Sequence, residues 1–74
     1  MTHEQKARLI IEKRELNERA ARLNDFLEGA EYEALPAEHR YLLATQYNAM
    51  LIYERALLRR MELLGMLDGE WDDF

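Results

Sequence analysis

A chain of 74 residues with no cysteine and a formal net charge of −5 is one domain at most, and it has neither a disulfide framework nor a thiolate metal site to staple it. At this length a single core rarely gives a comfortable stability margin, so self-association or a partner is the expected source of further burial. The acidic balance excludes the strongly basic footprint of a duplex reader, while a local basic pocket for one small anion stays open.

The N-terminus, "MTHEQKARLIIEKREL", turns charged again after a few apolar residues. It therefore lacks the uninterrupted apolar run of a signal peptide or a membrane span, and the expectation is a cytoplasmic protein with no membrane partner. Thr2 followed by Gln5 has the form of a capping box, which predicts a helix over 3–28. Leu9, Leu16 and Leu23 recur every seven residues along it, with Ala20, Phe26 and Leu27 on the same face, and Gly29 is placed to end it. Ile10 and Ile11 fall off that stripe.

Residues 29–35 read as a hinge. Pro36 suits the first turn of a second helix over 36–66, because its missing N–H costs nothing there. In that helix Leu43, Met50, Leu57 and Leu64 repeat every seven residues, accompanied by Tyr47, Tyr53 and Met61. The short connection predicts an antiparallel two-helix hairpin over residues 1–67, followed by an acidic tail over 68–74. Asp68, Glu70, Asp72 and Asp73 lie in that tail, so the ten basic side chains stand among a nearly neutral body. Trp71 and Phe74 either belong to a free end or fold back onto a neighbouring hairpin.

One face of the second helix remains unexplained by a hairpin. Tyr41, Ile52, Ala56 and Leu63 lie roughly opposite the heptad stripe. A two-helix unit is too thin to bury both faces, so the fold expected is all-α, an antiparallel hairpin assembling through these four residues into a homo-oligomeric helical bundle.

Signals for catalysis or for a metal are nearly absent. His3 and His39 stand in no metal-ligand spacing, Glu12, Glu15 and Glu18 read as helical charge pairs, and no glycine-rich phosphate loop or nucleophile elbow occurs. Arg40, Arg55, Arg59 and Arg60 read as a solvated charged face, not as a DNA interface. Polar residues beside the seam are more informative. Gln46, Tyr53 and Arg60 repeat at seven-residue spacing on the flank of the heptad stripe, and Lys13 lies beside Leu9, Leu16 and Ala20. Two readings stand: these four snorkel and cap the hairpin edge, or oligomerisation joins them into a cleft where Arg and Lys meet phosphates and Tyr stacks on a base.

The order "EKREL" at 12–16, "LNDFLEG" at 23–29 and "YEALP" at 32–36, then Gln46, Met50, Tyr53, Leu57 and Arg60, resembles small phage helical-hairpin proteins related to the anti-CBASS and Thoeris anti-defence sponges. The resemblance runs over roughly residues 4–64. It implies a function without catalysis and without a cofactor: symmetric oligomers, hexamers in the anti-CBASS case, that sequester cyclic nucleotide messengers of bacterial immunity in the host cytoplasm. The ligands implied are a cyclic di- or trinucleotide or an ADP-ribose-derived cyclic signal, with Lys13, Gln46, Tyr53 and Arg60 at positions matching the pattern. A protein-interaction module that docks its Tyr41/Ile52/Ala56/Leu63 face onto a host or phage protein is the alternative.

Overall fold

The computed structural model describes residues 2–66, and the acidic tail with Trp71 and Phe74 lies outside the described residues. The described chain is all helical, with α1 at His3–Leu27, α2 at Ala30–Glu33 and α3 at Ala37–Leu63. The shape is a rod of 46 × 19 × 18 Å.

The capping box at the start of α1 is formed. The Gln5 N–H donates to Thr2 Oγ1 at 3.1 Å and the Thr2 N–H donates to Gln5 Oε1 at 2.9 Å. Two of the four donors that a helix start leaves open are satisfied by this exchange.

Between the long helices the chain makes a single helical turn. Gly29 begins it with an extended backbone, φ −98° and ψ 166°, and the Ala34 N–H closes it onto the Ala30 carbonyl at 3.1 Å. Ala30, Glu31 and Glu33 are compatible with such a turn, and the Glu31 carboxylate stands near its positive end. Leu35 cannot extend it, since the following proline disfavours helical geometry there. Pro36 stands one place before the first residue of α3, at φ −57° and ψ 150°, and its carbonyl accepts the Arg40 N–H at 3.0 Å. Phe26 meets Tyr32 edge to face at 6.3 Å, and the Tyr32 hydroxyl donates to the Arg40 carbonyl at 3.2 Å. α2 is thereby tied to both long helices.

The dry core is at the other end. Leu9, Ile10 and Leu16 of α1 cluster with Leu57 and Met61 of α3 and with Met66 beyond it, and no polar side chain is buried among the described residues. Met66 reaches this cluster through the way α3 ends. Gly65 takes the left-handed conformation at φ 69°, its N–H donates to the Glu62 carbonyl at 3.0 Å, and the Met66 N–H reaches back to the Met61 carbonyl at 2.9 Å. This paired return is the Schellman arrangement, in which the residue after the glycine packs beside the last turn.

Two expectations are corrected here. The second helix stops at Leu63 and not at 66, because Gly65 turns left-handed, while α1 ends beside Gly29 as expected, with Gly29 extended and opening α2. Ile10, expected off the buried stripe, is 4% exposed and belongs to the same cluster as Leu9, Leu16 and Met66.

Candidate functional site

The outward face of α3 follows its own period. Tyr41, Ile52 and Leu63 are 69%, 66% and 70% exposed, and they stand eleven residues apart. Three turns of helix nearly equal eleven residues, so each step brings the next side chain back to almost the same line, with a drift of about 20°. Small or short side chains separate these large ones: Thr45, Ala49 and Ala56 are all exposed. The Thr45 hydroxyl donates to the Tyr41 carbonyl at 2.8 Å and so turns inward on its own helix. Leu42, also eleven residues before Tyr53, widens the apolar surface on one side.

Gln46, Tyr53 and Arg60 are exposed along one flank of that strip. Tyr53 follows Ile52 directly and is therefore rotated about 100° from it, toward the seam with α1. The three share one side of one helix, with Gln46 and Arg60 about 21 Å apart along it and Tyr53 midway between them.

Lys13 is placed differently. It is half-buried on α1 and turned toward Asn17 and Glu54. With the Asn17 amide oriented to satisfy both neighbours, its nitrogen donates to the two Glu54 carboxylate oxygens at 3.1 and 2.9 Å. Its oxygen accepts from Lys13 Nζ at 3.1 Å. Three polar side chains thus bridge α1 to α3 at the edge of the apolar seam. Asn17 and Glu54 escaped the sequence reading, although a signal for them existed. Lys13 and Asn17 are one helical turn apart, and Glu54 interrupts the apolar run of Met50, Leu57 and Met61 at core spacing.

A depression on α3 lined by Leu51, Glu54, Arg55 and Leu58 has a volume of about 160 Å³, below the roughly 300–1,000 Å³ of small-molecule sites. A nucleotide needs more wall than one helix presents. Among the described residues no group of three or more His, Asp or Glu is arranged to hold a metal ion, and no helix is long and apolar enough to cross a membrane.

No curated protein and no solved structure matches the chain. The family model described as Sequestin matches residues 3–63, from the first residue of α1 to the last of α3. A match over that much of the sequence means that the chain belongs to the Sequestin family.

Proposed function

We propose that the protein is a phage-encoded anti-defence sponge. It acts in the host cytoplasm, where it binds a cyclic nucleotide immune signal without transforming it. Its working form is an antiparallel hairpin assembled into a homo-oligomer, of which a hexamer is one candidate. The family name fits sequestration. The observation that carries the reading is the pairing of an exposed apolar strip at Tyr41, Ile52, Ala56 and Leu63 with an exposed Gln46/Tyr53/Arg60 flank beside it.

The chemistry of that flank suits a cyclic di- or trinucleotide, or an ADP-ribose-derived cyclic signal. The Arg60 guanidinium presents a planar fork of donors to phosphate oxygens. Tyr53 offers a ring on which a base stacks, and Gln46 a donor and acceptor for a base edge. Lys13 on the other helix is held by Asn17 beside Glu54, and it joins the site where ligand phosphates draw its ammonium out of that bridge. Such a site needs no catalytic group, because sequestration requires only that the ligand be held more tightly than by its host effector.

A thermal-shift screen against cyclic di- and trinucleotides and cyclic ADP-ribose isomers, with linear nucleotides as controls, tests this. A ligand present at a thousandfold excess over its Kd adds about 4 kcal/mol to the folded state, and one cyclic signal is expected to produce that shift selectively. Tyr53→Ala and Arg60→Ala should each abolish it while leaving helicity and assembly intact. A flat screen from a well-folded oligomer would sink the sponge and leave the Tyr41/Ile52/Ala56/Leu63 strip as a docking face for a host or phage protein.

A further inference from the structure

Resting on the homo-oligomeric reading above, we propose that two copies of the chain pair antiparallel through α3 about a two-fold axis beside Ile52, and that this pairing completes the ligand site.

Ile52 stands midway between Tyr41 and Leu63, eleven residues from each. In an antiparallel pair centred on Ile52, residues equidistant from it face one another. Ile52 meets the partner's Ile52, Tyr41 meets the partner's Leu63, and Ala56 meets the partner's Asn48. The contact is about 33 Å long at 1.5 Å per residue. The exposed Ala49 and Ala56 next to the midpoint allow the helix axes to approach within the usual 8–10 Å or so of packed helices.

Charge separates this arrangement from the parallel one. Parallel α3 helices would set Arg55, Arg59 and Arg60 beside their own copies, with helix dipoles aligned. The antiparallel pair sets Arg55 opposite the partner's Ala49, Arg59 opposite the partner's Thr45 and Arg60 opposite the partner's Ala44. No like charges then meet across the line of contact.

The symmetry also decides what becomes of the flank. A two-fold axis normal to the plane of two antiparallel helices keeps corresponding flanks on one side of the pair. Both Tyr53 rings therefore stand next to the axis. Arg60 lies eight residues from Ile52, about 12 Å along the helix, and the partner's Gln46 lies six residues from the partner's Ile52, about 9 Å in the same direction. Each arginine is thus brought level with the other copy's glutamine, once at each end of the tyrosine pair. Neither copy alone has this composition. The two arginines stand about 24 Å apart along the pair, so each end, with one Arg60, the partner's Gln46 and a Tyr53 ring, suits one compact anionic ligand with a stackable face, two per pair.

Because the chain has no cysteine, cross-linking tests the register directly in the full-length protein. Ile52→Cys is expected to form a disulfide-linked dimer on mild oxidation. A mixture of Tyr41→Cys and Leu63→Cys chains is expected to give chiefly the mixed 41–63 product. Dominant 41–41 and 63–63 products would overturn the proposal. Ile52→Asp, at a site two-thirds exposed in the single chain, should keep its circular dichroism while association weakens by at least about a hundredfold. An unchanged sedimentation mass for that variant would equally overturn the pairing. Cross-links of the wrong register alongside a persisting ligand shift would defeat this inference and spare the sponge reading. Cross-links of the expected register with a flat ligand screen would leave the pairing standing and overturn both the composite site and the sponge reading.

Discussion

The two ends of the rod are held by different means. Where α1 begins and α3 ends, six apolar side chains close into a dry cluster, with Leu57 and Met66 only 1% exposed. At the α2 end, Leu23, Phe26, Leu27, Leu35, Leu43 and Tyr47 are all half-buried, and one ring contact and one hydroxyl bond do the joining. A turn that connects two helices already limits how far they can separate, so that end tolerates thin packing. The end without a covalent link has to be closed by burial. The contrast teaches that the covalent hinge and the hydrophobic lock stand at opposite ends, and that the α2 end keeps part of its apolar surface uncovered.

The largest test of this asymmetry is Leu57→Asp, which puts an unpaired charge into the dry cluster. Loss of the helical circular dichroism signal is expected, and even Leu57→Ala should cost about 2–5 kcal/mol. Retained helicity in the aspartate variant would mean that the lock is elsewhere. The two glycines come next. Gly65→Ala forces a side chain into the left-handed region and should cost about 1–2 kcal/mol, read as a lowered midpoint in urea. Gly29→Ala should change stability by less than about 0.5 kcal/mol, because its backbone is extended and a Cβ there would meet nothing nearer than the Phe26 carbonyl at 3.5 Å. Equal losses at the two glycines would erase the distinction between the ends. Between the two glycines in size stands Tyr32→Phe, which removes one partly buried hydrogen bond and should cost about 0.5–1.5 kcal/mol. Its effect should be confined to amide exchange around α2 and the first turn of α3.

Much of this was legible because helical period is a direct consequence of backbone geometry. Leu9, Leu16, Leu57 and Met61 could be assigned inward from spacing alone, and the Thr2/Gln5 cap from its short local pattern. What escaped depends on distant parts of the chain meeting. Ile10 is buried in a cluster that also takes in Met66, and the return of Met66 hinges on Gly65 turning left-handed. Gly29 and Gly65 both follow helical runs, and the local difference is the residue after each: Met66 offers the apolar contact that a left-handed cap uses, whereas Ala30 does not. The single turn of α2 was hidden because four residues are too few to display a period. Of the candidate site, Gln46, Tyr53 and Arg60 share a flank as their seven-residue spacing implies, whereas Lys13 is drawn into a bridge whose other members lie on two different helices.

That bridge has a consequence for how the helices choose their alignment. An apolar seam that repeats every seven residues looks much the same to its neighbour after a slip of two turns, since leucine accepts methionine in its place with little penalty. A carboxylate is less forgiving. Sliding α3 along α1 by even one turn, about 5.4 Å, would carry Glu54 out of reach of the Asn17 amide and leave both groups unsatisfied at the edge of an oily interface. The Lys13–Asn17–Glu54 contact thus works as a vernier mark on an otherwise repetitive scale, fixing which leucine faces which and, with it, where the outward strip of α3 is presented.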